Sequence, residues 1–142
     1  MSDEDQIQQG QCLCGAVQVT LSGGMGLTMQ CHCSECQTVM GGGPAYITMV
    51  DRSAVTMSGE VGRYTVKGNS GGDVTRCFCP VCGTPTHSEL EKYPDKYVLK
   101  VGIFAPQSAA APAIAIWTGS APDWHPIPEG IPCFVQRPVP RA

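Results

Sequence analysis

The stretch Cys12-Leu13-Cys14-Gly15-Ala16-Val17-Gln18-Val19-Thr20-Leu21 decides how this chain is read. From Ala16 to Leu21 apolar and polar residues alternate, which puts Val17, Val19 and Leu21 on one face of an extended segment and Gln18 and Thr20 on the other. A period of two belongs to a half-buried strand whose apolar face points to a core. Working outward, strand-like runs recur at residues 27–31, 45–50, 55–57, 63–66, 74–78, 97–104 and 113–117, separated by Gly, Pro, Asp, Asn and Ser. The one helix expected is Ser34–Met40, stopped by Gly41, Gly42 and Gly43. Short, evenly spaced strands predict an all-β architecture of antiparallel sheets. The last twenty residues, with Pro126, Pro128, Pro132, Pro138 and Pro140, read as an irregular strap.

With 142 residues and 15.0 kDa the chain has the size of one domain, and it shows neither repeat nor linker, so residues 1–142 are read as a single unit. Gly and Pro make up about a fifth of it, below the level of low-complexity chains. No apolar run approaches the roughly 20 residues that span a bilayer, and the polar start lacks the basic and apolar regions of an export signal. The expectation is a soluble, cytoplasmic protein with no membrane partner. A net charge of −3, with nine scattered Lys and Arg, offers no electrostatic footprint for nucleic acid.

Nine cysteines are the outlying count. In a reducing compartment disulfides are disfavoured, and eight of the nine fall into three tight groups, which points to metal. Cys12/Cys14 and Cys79/Cys82 are two short pairs of the kind that together complete a tetrahedral zinc site. Gly15 and Gly83 follow the pairs, each suited to a tight left-handed turn. Such a site would clip the start of the chain to its middle; spacing alone also admits an iron–sulfur cluster, or thiols packed as small hydrophobes.

The third group is Cys31-His32-Cys33-Ser34-Glu35-Cys36. Three thiolates match catalytic zinc, which keeps three protein ligands and a fourth position for water or substrate. In extended chain Cys31 and Cys33 face one side and His32 the other, so His32 is not expected as a ligand. The alternative is a second closed site completed by Cys77, Cys133, His87 or His125. Cys77 otherwise reads as a packed thiol beside the first site, and Cys133 as part of the strap.

Taken together, Gly10-x-Cys12-x-Cys14-Gly15, Cys31-His32-Cys33-Ser34-x-Cys36 and Arg76-x-Phe78-Cys79-x-x-Cys82-Gly83-Thr84 resemble the glutathione-dependent formaldehyde-activating enzyme family, whose members include centromere protein V. Ile116-Trp117, Ser120 and Trp124 resemble its C-terminal pattern, so the likeness runs from about Gly10 to Phe134. It implies a β-tent fold, structural zinc on Cys12, Cys14, Cys79 and Cys82, and a second, catalytic zinc on Cys31, Cys33 and Cys36. The implied reaction is the condensation of glutathione with formaldehyde to S-hydroxymethylglutathione, classed in reverse as a carbon–sulfur lyase. Two positions depart from the family: Gln37, commonly Arg, and Ala115, often His. Both losses bear on a substrate that carries two carboxylates, because a guanidinium fork is a bidentate carboxylate contact.

Zinc beside three thiolates suits a small-molecule thiol–aldehyde adduct, since an open position can activate a thiol or polarise a carbonyl. Glu35 is the nearest candidate proton carrier in sequence, with His32, His87 and His125 of similar standing; a solvated carboxylate is the plainer reading of Glu35. Gly41–Gly43 offer amides to a carboxylate or simply a helix stop, and Trp117 and Trp124 a pocket wall or core packing. Gly68-Asn69-Ser70-Gly71-Gly72 matches a hydrolase nucleophile elbow in letters, but its setting between two strands reads as a hairpin loop. The competing functional class is a zinc-stabilised binding module without catalysis, and a redox or metal-buffering protein is a third. A fourth ligand closing the Cys31/Cys33/Cys36 group would favour the binding module.

Overall fold

The structure, a computed structural model, describes residues 6–68, 71–104 and 111–138. Among these residues ten strands form two sheets. In chain order they are β1 (Ile7–Gln11), β2 (Gln18–Ser22), β3 (Leu27–Cys31), β4 (Ala45–Asp51), β5 (Val55–Ser58), β6 (Gly62–Lys67), β7 (Asp73–Phe78), β8 (Pro85–Leu90), β9 (Lys96–Lys100) and β10 (Ile114–Ile116), with helix α1 (Ser34–Met40) between β3 and β4. Strands β1-β2-β5 make a three-stranded sheet, and β10-β3-β4-β9-β8-β7-β6 a seven-stranded one that does not close. The all-β expectation holds. Pairing is antiparallel except at one edge, where β10 runs parallel to β3. Among the described residues no helix is long and apolar enough to cross a membrane.

The quoted alternation does what its period requires. Val19 and Leu21 of β2 are buried against Val50, Leu99, Ile103 and Phe104, joining the small sheet to one face of the large one. Full burial of Leu21 and Leu99 contributes about 2 kcal/mol each. The opposite face of the large sheet presents Met29, Cys31, Ile47, Val98, Ile114 and Ile116, a second apolar cluster that also takes in Cys33 and Cys36.

Two strands escape a pattern search. β1 reads Ile-Gln-Gln-Gly-Gln and has no apolar face; it is a strand because five register pairs tie it to β2. Gly10 lets it lie on Phe104, since a Cβ there would meet the Phe104 ring and the Ile103 carbonyl at 2.8 Å. β8 is central yet polar, with Thr86, His87 and Ser88 all buried, and its proline stands at the first position, where a strand tolerates it. The run expected at 97–104 divides: β9 ends at Lys100, and Val101–Ile103 curl into a 3-10 turn that seats Phe104 in the core.

Helix α1 ends at Gly41, whose φ of 86° is left-handed. The amides of Gly41 and Gly42 both donate to the Gln37 carbonyl, so they serve as a helix stop. β6 and β7 are antiparallel neighbours around the expected hairpin loop; Asn69 and Ser70 themselves lie outside the described residues. The proline-rich strap binds the outer edge of β10: Ala115 N–H donates to the Pro132 carbonyl, and Phe134 N–H to that of Ala115.

Candidate metal centres and the cavity beside them

Cys12 and Cys14 lie on the loop from β1 to β2, and Cys79 and Cys82 on the loop from β7 to β8. Each loop is a tight knuckle. Gly15 N–H donates to the Cys12 carbonyl at 3.0 Å and Gly83 N–H to that of Cys79 at 2.8 Å, with φ of 82° and 78° at the two glycines, as the turns require. Backbone amides also point at sulfur: Val17 N–H at Cys12 Sγ (3.2 Å), and those of Val81 and Cys82 at Cys79 Sγ (3.4 and 3.5 Å). The Thr84 hydroxyl, 3.1 Å from Cys82 Sγ, holds that thiol down to about 5.

Tertiary packing brings the knuckles together, and Leu13 N–H donates to Thr84 Oγ1 across them. The four Sγ atoms lie within 4.8 Å of one another, with Cys12–Cys14 and Cys14–Cys79 each at 3.7 Å. Four sulfurs about 2.3 Å from a central zinc would stand about 3.8 Å apart, so this donor set fits a tetrahedral ion.

Cys31 closes β3, Cys33 is the N-cap of α1, and Cys36 lies in its first turn. All three are buried, and their Sγ atoms lie within 4.8 Å of one another. Cys33 Sγ takes the place of the usual capping oxygen and accepts from Cys36 N–H at 3.3 Å. The Cys31 thiol first, then that of Cys36, its amide and the Arg76 charge hold Cys33 far below the ordinary thiol range; sharing with Cys33 pushes Cys31 up. Among the described residues no further Cys, His, Asp or Glu joins the group, and Cys77, Cys133, His87 and His125 all lie elsewhere.

The three sulfurs open on a cavity of about 370 Å³. Its apolar wall includes Met29, Ile47, Val98, Leu90, Ile116 and Trp117. Trp117 is the one non-glycine residue at positive φ among those described (56°), held there by its N–H bond to the Gln136 carbonyl. Trp124 is exposed instead. Charge enters from Arg76, which opens the third cysteine motif, and from three cations the motifs did not point to: Lys92, Lys100 and Arg137. Arg76 donates to Glu35 at 3.0 Å, so Glu35 is an ion-paired carboxylate whose side chain stays 32% exposed. Lys100 is 7% exposed and has no carboxylate partner among the described residues; burial lowers its pKa, and the nearby thiols offset part of that. Its signal in sequence was a lysine where strand alternation demands an inward residue.

The two departures from the family look different in place. The Gln37 side-chain amide donates to the carbonyls of His32 (2.9 Å) and Ser120 (2.8 Å), latching α1 to the turn after β10. Ala115 is buried but lies between Ile114 and Ile116 on the strand, and so on the face away from the cavity. His32 also faces away, fully buried, with Nε2 3.1 Å from Gln30 Oε1 and its ring edge-on to His125. Cys133 is exposed on the strap. Cys77 does not pack as a bystander to the first site: a bulge after it turns the chain, and it groups with His87 and Glu89.

A solved structure of a Rhodobacter sphaeroides protein superposes with a TM-score of 0.57 at 22% identity, covering 73% of this chain and 96% of its own, a likeness of fold. No curated protein matches the sequence significantly. A family model described as glutathione-dependent formaldehyde-activating enzyme matches residues 7–120, which include both knuckles, the three-cysteine loop and most of the cavity wall. On that match over most of its length, the chain belongs to the glutathione-dependent formaldehyde-activating enzyme family.

Proposed function

We propose that the protein is a zinc enzyme of the carbon–sulfur lyase class, making or breaking the bond between a small-molecule thiol and an aldehyde-derived carbon. In this reading Cys12, Cys14, Cys79 and Cys82 hold a structural zinc, and Cys31, Cys33 and Cys36 hold the catalytic one. The observation that carries it is three convergent buried thiols with no fourth protein donor among the described residues, opening on a cavity lined by cations. A closed site would support only a scaffold. Zinc bound to the three thiolates supplies a lowered pKa for an incoming thiol and polarises a carbonyl.

The chain's own residues do the rest. Adding RSH to an aldehyde removes a proton from sulfur and leaves one on oxygen, so negative charge builds on that oxygen as the carbon–sulfur bond forms. Lys100 supplies a cation in an apolar enclosure, where it stabilises such charge more than it could in water. Arg76 holds Glu35 at the cavity wall and keeps its charge balanced. Ile116 and Trp117 exclude water from the reacting end. Arg137 and Lys92 suit a thiol with carboxylates, which supports glutathione more strongly than Gln37 and Ala115 alone suggest.

The test is a panel of thiols, glutathione and a neutral thiol among them, with formaldehyde and larger aldehydes, following adduct formation and breakdown. At least one pair should exceed the uncatalysed rate with zinc-loaded protein. No acceleration for any pair, with both zinc ions present, would overturn the reading.

A further inference from the structure

Cys77, His87 and Glu89 form a third donor group, apart from both cysteine sites. Cys77 of β7 stands opposite His87 of β8 in the register, and Glu89 follows two residues on, so all three share one face. Their sulfur, imidazole nitrogen and carboxylate oxygen lie within 4.8 Å of one another, and Cys77 and His87 are buried. A cation already stands there. Arg63 Nη1 donates to Glu89 Oε2 at 2.7 Å and reaches Cys77 Sγ at 3.6 Å, bridging two of the three donors.

Thr86 anchors the imidazole at its Nδ1 side. Thr86 Oγ1 donates to the Cys77 carbonyl at 3.3 Å, so its single proton is committed. Its oxygen therefore accepts from His87 Nδ1–H at 2.9 Å, which leaves the ring's lone pair on Nε2. A second ring nitrogen anchored by a neighbour is the usual support of a metal-bound histidine. Burial, which holds His87 down to about 4, keeps that lone pair free at neutral pH.

We propose that Cys77, His87 and Glu89 are a third zinc site, gated by Arg63, whose guanidinium fills it until the metal displaces it. Sulfur, nitrogen and one carboxylate oxygen are a donor set for zinc, with a fourth position left for water. The net charge is the same in both states. With Arg63 in place, Glu89 faces two guanidiniums, Arg63 at 2.7 Å and Arg52 at 4.0 Å, and the thiol keeps its proton. With zinc in place, a carboxylate and a thiolate face a divalent ion, one proton is released, and Arg63 moves to solvent. Its side chain is already 52% exposed, so that move needs no repacking of the core. Arg52 stays, stacked over the Tyr97 ring at 4.5 Å.

The experiment is equilibrium dialysis of protein already carrying its first two zinc ions against rising free zinc. Wild type should take a third equivalent. Arg63→Ala, which removes the competing ion pair, should take it at about five-fold lower free zinc. Cys77→Ser and His87→Gln should stop at two, with near-UV circular dichroism unchanged; if either fails to fold, Glu89→Gln, at the more exposed ligand, replaces it. Added Co2+ gives an independent readout, a thiolate-to-cobalt band stronger in Arg63→Ala than in wild type and missing from Cys77→Ser. A third equivalent absent from both wild type and Arg63→Ala, or undiminished in the ligand variants, would overturn the proposal.

Discussion

Replacing Cys79 with Ser tests whether the four-cysteine group staples the fold. Cys79 is fully buried, and its sulfur lies 3.7 Å from Cys14 Sγ, a residue 65 positions away. A link closing a loop of 65 residues removes about 4 kcal/mol of chain entropy from the unfolded state. A domain of this size has about 5–15 kcal/mol of stability in all. Losing the link should lower the melting temperature by about 10–15 °C, at about 2–4 °C per kcal/mol. By the same reckoning the loop from Cys31 to Cys36 is worth only about 2 kcal/mol. The assay is thermal unfolding by circular dichroism on wild type, Cys79→Ser and Cys33→Ser, with zinc measured per chain. A folded Cys79→Ser protein that has lost one zinc yet melts within about 2 °C of wild type would refute the reasoning.

Cys33→Ser should keep the fold through the first zinc site while losing carbon–sulfur chemistry; unfolding as severe as that of Cys79→Ser would remove the distinction between the two sites. Mild chelation should draw zinc first from Cys31, Cys33 and Cys36, which offer one thiolate fewer, and simultaneous loss from both groups would contradict that order. Lys100→Met should lower kcat about a hundred-fold for carboxylate-bearing and neutral thiols alike, because the lost cation faces the charge that develops on the aldehyde oxygen, while stabilising the fold by about 1 kcal/mol because a buried cation without a carboxylate partner is gone. His87 stays neutral in the fold down to about 4, whereas in the unfolded chain it takes a proton below 6.5. The unfolded state binds more protons between those values, so stability rises with pH across that window, and about 2–3 kcal/mol is lost as pH falls through it. Urea midpoints at low free zinc should show the slope in wild type and a flatter one in His87→Gln.

What the sequence alone determined is whatever depends on neighbours along the chain. The alternation from Ala16 to Leu21 specified an inward-facing strand, since successive side chains must point to opposite faces. The knuckle glycines and the helix stop were legible for the same reason: a left-handed backbone is a local demand, and Gly15, Gly83 and Gly41 meet it. So was the separation of His32 from its two cysteine neighbours. The polar strands β1 and β8 were not legible, because only pairing with β2, β7 and β9 makes them strands. Tertiary structure alone decided which side chains converge. It turned Gln37 into a latch and Ala115 away from the cavity, brought Lys100 and Arg76 to the three-cysteine group, and set Cys77 opposite His87. These residues lie ten or more positions apart in the chain, and a one-dimensional pattern carries no term for a distance that only the stacking of strands creates.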